Sequence, residues 1–393
     1  MIVRLTLACL LLLTGVAAAQ TPVDRGRYLA VLGDCTSCHN APHGAPYAGG
    51  QPLSAVFGLV YSSNITPDGE TGIGKWSADD FYDALHDGVR PDGGHLYPAF
   101  PYAYFSHMSR ADSDALYAYL RTLKPVRYRP PPNAMMFPFS IRATVWFWNA
   151  MFLRTGPLPQ GHDAQWNRGN FLVNGPGHCA ECHTPKNLLF GDRNSRALTG
   201  ATMDNWFAAN LTAAKPDGLG VWTVGEIADY LKTGAGPHAT AVGPMQDVIT
   251  HSTALMTGAD RAAIAAYLKS LPADKPVAAG SPPAEQMTAG EGIFFTRCEV
   301  CHRIGGPSGG FPQLPGNTLV QGRSPNTVLR VILGGSQAIG LKNGKMPYSM
   351  PAFATLSDDE IADVATYIRN AWGNRAPAVA AAEVKALRHT VGH

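Results

Sequence analysis

Six of the seven cysteines in this 393-residue chain fall into three copies of one pattern: Cys35-Thr-Ser-Cys38-His39, Cys179-Ala-Glu-Cys182-His183 and Cys298-Glu-Val-Cys301-His302. Cys-x-x-Cys-His is the pattern for covalent attachment of c-type haem. One helical turn between the thiols lets both add across the vinyl groups, and the adjacent His then lies under the iron. Three other chemistries use paired cysteines. Structural zinc needs a second pair close by, whereas these pairs lie 144 and 119 residues apart. Thioredoxin-like exchange requires neither the following His nor three copies. Structural disulfides leave the recurrent His without a role. Covalent haem accounts for cysteines and histidines together, and predicts three haem groups.

A haem iron needs a second axial ligand, commonly the Met thioether, which raises its potential relative to harder ligands. Met245 in Gly243-Pro244-Met245 stands 62 residues after His183, and Met350 in Met350-Pro351-Ala352-Phe353 stands 48 after His302, so these two are assigned to the second and third irons. Met346 competes with Met350. The first copy breaks register, because the slot 61 residues after His39 holds Phe100, which cannot ligate iron. Met108 is the assigned ligand there, with His95, His107 or a five-coordinate iron as alternatives. Met108 also matches Met256 and Leu356, a slot that suits an apolar staple residue ahead of a helix. Pro42 and Pro185 offer carbonyls to two of the imidazoles, although Pro there is also ordinary helix termination.

The elements that position these residues recur with them. Arg25-Gly26-Arg27-Tyr28-Leu29, Arg168-Gly169-Asn170-Phe171-Leu172 and Gly290-Glu-Gly-Ile-Phe294-Phe295 each read as a short aromatic-bearing helix ahead of a motif. Each copy ends in a closing helix through Tyr119, Tyr267 or Tyr367, with Ser109, Thr257 or Ser357 as N-cap in the same register. Asn64-Ile-Thr66 with Gly72-Ile-Gly-Lys-Trp76 is echoed by Asn210-Leu-Thr212 with Gly218-Leu-Gly-Val-Trp222. The expected fold is mainly α, with three tandem class I-like cytochrome c domains at 20–124, 166–271 and 286–375. Pro-rich stretches at 125–165 and 272–285 join them, and 376–393 reads as a tail. Each unit is too small for a large side-chain core, and haem supplies the missing apolar filling.

The remaining composition fits an exported, loop-rich chain. There are 42 Gly and 31 Pro, only 15% charged residues, and a net charge of +2, which disfavours nucleic-acid binding. Arg4, the apolar run Leu5 to Val16 and Ala17-Ala18-Ala19 read as a signal peptide over 1–19, cleaved before Gln20. No later stretch is a clean membrane span; the nearest, Ala134 to Leu153, is interrupted by Pro138 and Arg142. Its aromatic part reads as a segment that faces a partner, lies in the bilayer interface, or is buried in the chain's own inter-domain seam.

At this point the sequence resembles the three-haem cytochrome c subunits of bacterial membrane-associated dehydrogenases for alcohol, gluconate, sorbitol, fructose or aldehyde. The carriers are the three attachment motifs, Asn64-Ile-Thr-Pro-Asp68, Leu96-Tyr-Pro-Ala99, Phe137-Pro-Phe-Ser-Ile-Arg142, Trp148-Asn149, His178, Met350-Pro-Ala-Phe353 and Trp372-Gly-Asn374. Phe100 departs from the Met that this family's Tyr-Pro-Ala-Met-Pro-Tyr form carries. The resemblance implies a peripheral subunit on the periplasmic side of the cytoplasmic membrane. Its role would be to take electrons from a catalytic partner with a flavin, quinone or molybdenum cofactor and pass them to ubiquinone or a downstream cytochrome or oxidase. Such subunits oxidise no substrate themselves. No dinucleotide fingerprint, Gly-x-Ser-x-Gly elbow or His-Glu-x-x-His motif offers another chemistry. A peroxidase-type enzyme, or a haem-based redox or gas sensor, is the alternative should the first iron keep an open site.

Overall fold

The computed structural model describes residues 20–41, 43–55, 57–161, 163–275, 277, 280–305, 311–337 and 349–391. The expected leader 1–19, Pro42 and Met346 lie outside them. The chain is mainly helical, with 43% helix and 7% strand.

The first unit begins with α1 (Pro22–Leu32), where Thr21 caps the Asp24 N–H and Pro22 opens the helix. Asp34, at a left-handed φ of 47°, then turns the chain into α2 (Cys35–His39). The antiparallel hairpin β1 (Pro52–Ala55) and β2 (Gly58–Tyr61) follows, then α3 (Ala78–His86), the single turn α4 (Tyr102–Phe105) and α5 (Arg110–Leu120). The next segment returns to this unit. In it β3 (Ala134–Met135) pairs with β2, and α6 (Thr144–Phe152) lies on the same side.

The second unit repeats the plan with α7 (Ala164–Asn174), α8 (Cys179–His183), the hairpin β4 (Ala201–Met203) and β5 (Trp206–Ala208), then α9 (Val224–Thr233), α10 (Pro244–His251) and α11 (Gly258–Ser270). His178, at a φ of 36°, makes the turn that Asp34 makes in the first. The third unit has α12 (Ala284–Ile293), α13 (Asn326–Gly334) and α14 (Asp358–Asn370). Here the chain runs from α12 through a π-helical turn, Phe294–Cys298, straight into the motif. The stretch read as a tail holds a helix, α15 (Ala381–Arg388). Its Val384 and Leu387 enter the core, and Arg388 bonds Asp358 at 2.7 Å.

One glycine per unit sets the helix crossing. A Cβ on Gly26 would lie 1.9 Å from the Ala115 carbonyl oxygen, one on Gly169 2.1 Å from that of Ala263, and one on Gly290 2.1 Å from that of Asp363. Only glycine lets α1 meet α5, α7 meet α11, and α12 meet α14 at backbone contact. The closing helices start as the sequence predicts: Ser109, Thr257 and Ser357 accept from the N–H of Asp112, Asp260 and Glu360 at 3.1, 3.1 and 3.2 Å.

The first two units share one buried apolar cluster, including Leu32, Leu116, Leu172 and Ile264, whereas the third has its own around Phe294, Leu329 and Ile361. Polar ties cross both seams. The Tyr28 hydroxyl donates to Asp260 at 2.7 Å and accepts from the Thr257 N–H at 2.9 Å. Between the second and third units, Thr327 Oγ1 accepts from the Phe207 N–H and donates to its carbonyl, both at 2.9 Å.

Candidate haem sites

The three motif histidines share one chemical setting, although His39 and His183 end short helices and His302 follows the π-helical turn. His39 Nδ1 lies 2.7 Å from the Ser63 carbonyl, His183 Nδ1 2.6 Å from that of Ala209, and His302 Nδ1 3.1 Å from that of Pro312. A carbonyl only accepts, so each Nδ1 carries the proton and each Nε2 keeps its lone pair for a metal. Burial also draws all three imidazoles below the ordinary histidine value, which keeps them neutral.

These acceptors correct the sequence reading. The Pro185 carbonyl accepts instead from the Arg193 N–H at 2.9 Å. In the first two units a local turn holds the true acceptor in place. Asn64 Oδ1 accepts from the Thr66 N–H and hydroxyl at 2.9 and 2.7 Å, and Asn210 Oδ1 does the same with Thr212 at the same distances. The Asn-x-Thr echo in the sequence therefore fixes the carbonyl just before it.

Desolvation pushes the thiols of Cys35, Cys179 and Cys298 up to about 12, 11 and 11, so they are protonated at neutral pH. Reactive dithiols sit instead in electropositive surroundings that favour thiolate. Cys182 is the most open of the six, and Cys38 and Cys301 are half-buried. Among the described residues no three His, Cys, Asp or Glu side chains converge as a cluster that could hold a metal ion.

In the third unit the fit to haem is direct. Cys298, Cys301, His302 and Met350 line one apolar cavity of about 240 Å³, closed by α13 and α14. Met350 is held there by paired backbone bonds with Ser336, at 2.8 and 3.0 Å. Thr240 and Val242 of the second unit line the same cavity, so this pocket opens onto the seam.

Met245 sits in the first turn of α10, half-buried beside Tyr230 and Ile249. The preceding Gly243 has a φ of 55°, and a Cβ there would strike the Trp206 ring at 2.7 Å. In the first unit, Phe100 stacks on Phe105 with centroids 5.4 Å apart. Met108 and Met256 are both 5% exposed, both in the shared apolar cluster, and both immediately precede an N-cap. Of the other candidates, His107 Nδ1 is bonded to the Gly156 carbonyl at 2.6 Å, and His95 Nδ1 is buried without a hydrogen-bond partner.

Buried neutral histidines with free Nε2 atoms, paired thiols one turn away and an apolar cavity define a cytochrome c. Residues 287–372 match the cytochrome c family. The chain is 38% identical to the cytochrome c subunit of the quinone alcohol dehydrogenase of Gluconacetobacter polyoxogenes, over 99% of this chain and 90% of that one. It is 36% identical to the fructose dehydrogenase cytochrome subunit of Gluconobacter japonicus, over 95% and 84%. It is 39% identical to a dihaem c-type cytochrome of Cereibacter sphaeroides, over 64% and 86%. The chain belongs to the family of cytochrome c subunits of dehydrogenases, which are electron-transfer subunits and not catalytic ones.

Proposed function

We propose that this chain carries electrons through three covalently bound haem c groups, from a catalytic dehydrogenase subunit to membrane ubiquinone or another respiratory acceptor. The observation that carries the reading is the threefold recurrence of one arrangement: a Cys-x-x-Cys-His turn, an imidazole tied through Nδ1 to a backbone carbonyl, and a glycine-crossed helix pair. Haem supplies a one-electron couple when bound; the protein supplies ligands, burial and spacing. The thiols of Cys35, Cys38, Cys179, Cys182, Cys298 and Cys301 would attach it. His39, His183 and His302 would ligate on one side, and Met108, Met245 and Met350 on the other.

The seams support a linear order of domains, 20–124, 166–271 and 286–375, because the second unit touches both others. The leader 1–19 supports export to the periplasmic side, and the partner would bring a flavin, quinone or molybdenum cofactor. Intact mass and haem staining of the matured chain test the count. Three haem increments are expected, and replacing Cys182 or His183 should remove one and leave two; fewer than three in the unaltered chain would overturn the reading.

Phe100 in the Met slot favours one other reading, an open first iron and hence a peroxidase-type enzyme or a sensor. Ferrous spectra with and without carbon monoxide discriminate: a carrier with six strong ligands shows little binding.

A further inference from the structure

The carbonyl that accepts from His183 is braced from outside its own unit. In the first unit the corresponding turn is closed by the chain that follows α5. Asn64 Nδ2 donates to the Val126 carbonyl at 2.8 Å and to Thr71 Oγ1 at 3.0 Å, and Thr66 Oγ1 accepts from the Val126 N–H at 3.1 Å. The second unit keeps only part of this plan. Thr212 Oγ1 accepts from the Asp274 N–H at 3.2 Å, but Asn210 Nδ2 turns to Asp217 at 3.4 Å. Asp217 stands in the slot of Thr71, each seven residues after its Asn.

The Asp217 side chain is 0% exposed, and its counter-charge comes from the third unit. Arg323 Nη2 lies 3.3 Å from Asp217 and 2.9 Å from Asp274, so one guanidinium bridges the two residues that brace the Asn210 turn. A second grip lies on the other side of Ala209. Phe207, two residues earlier in β5, gives both its backbone groups to Thr327 of α13, and a Cβ on Gly322 would lie 2.9 Å from its ring. The gripping turn is anchored in the third unit's core, where the fully buried Arg369 donates to the Val320 and Gly322 carbonyls at 2.9 and 3.0 Å.

We infer that Thr327 and Arg323 are positioning residues for the second iron: docking of the third unit sets the place of the Ala209 carbonyl and, through it, the electron donation of His183. The inference rests on the three-haem electron-carrier reading and adds a control on its second group. The physical link is the bond from His183 Nδ1 to that carbonyl, 2.6 Å long. A carbonyl held this close makes the imidazole a stronger donor, which favours the ferric iron and lowers its potential. Slackening the brace therefore raises the potential of the second haem.

Potentiometric titration of the haem-loaded chain tests this, with the second haem's couple identified as the one lost in His183→Ala. Thr327→Val keeps the shape of the side chain but gives up both bonds to Phe207, and should move that couple to higher potential. Thr327→Ser keeps the hydroxyl and should restore the original value. Thr327 also lines the third cavity, so the first haem's couple is the reference and should stay in place. Arg323→Gln, at a position 25% exposed, should raise the second couple as well, and Arg323→Lys, which keeps the charge between the two carboxylates, should raise it less. Should Thr327→Val fail to mature, the Arg323 pair carries the test. A second couple unmoved in either matured variant, equal shifts of all three couples, or a Thr327→Ser shift as large as that of Thr327→Val would each overturn the inference. Haem content and the number of couples in the unaltered chain report separately on the electron-carrier reading.

Discussion

Met108 is the residue on which the chemistry of the first unit turns. Its slot is that of Met256, equally buried and equally placed before an N-cap, so its packing needs no iron to explain it. Phe100 nevertheless leaves a ligand to be found. Met108→Leu keeps volume and apolarity, so packing should survive at a cost of less than about 1.5 kcal/mol. If Met108 ligates in the proposed three-haem arrangement, the first haem loses its Met-to-iron absorption in the oxidised spectrum, its potential falls, and its reduced form binds carbon monoxide. An unchanged spectrum assigns Met108 to packing alone, and the same measurement on His95 and His107 variants then finds the ligand. The carbonyls of Ser63, Ala209 and Pro312 escaped the sequence reading because a backbone acceptor has no side-chain signature. In two units the Asn-x-Thr turn beside them is the available signal, visible in sequence as a repeat and, in the first unit, as part of the family resemblance.

At the scale of elements, the crossing glycines and the caps give opposite expectations of size. Gly169→Ala places a methyl 2.1 Å from the Ala263 carbonyl oxygen, and the helices must separate. Overpacking of this kind costs about 1–3 kcal/mol or more, which chemical denaturation of the haem-loaded chain would read as a lowered midpoint. Ser357→Ala removes only the cap on Glu360 and should cost about 1 kcal/mol, with haem content unchanged. An equal loss for both would mean that the backbone contact is not the tighter constraint. Spacing and side-chain type gave the caps directly, since an N-cap acts within one turn. The glycines were visible in the motifs, but their reason is long-range: Gly26 faces a helix more than eighty residues away in sequence.

For the whole molecule, the seam between the first two units carries a pH-sensitive tie. Burial alone would raise the carboxyl of Asp260, but hydrogen bonds from Arg168, at 2.8 Å, and from Tyr28 outweigh it and hold it below the ordinary carboxylate range. A carboxyl depressed on folding binds its proton more readily in the unfolded chain. The stability it contributes is therefore present above the unfolded value, about 4, and is lost as pH falls through the folded one. Thermal unfolding below about pH 4 should show this loss in the unaltered chain and a shallower fall in Asp260→Asn. Identical pH slopes would remove the tie from the seam.

The sequence by itself determined the chemistry. The pattern that covalent haem attachment uses recurs in three contiguous five-residue motifs, and helix starts, repeats and the anomaly of Phe100 are likewise matters of local spacing. Only the tertiary structure decided what lies across space: which carbonyl fixes each imidazole, which side of α6 is covered, and that 376–393 folds back as a helix on the third unit. An apolar residue reads the same in sequence whether it faces a core, a partner or a lipid. Which one it meets depends on how distant segments pack, and no periodicity within one segment records that.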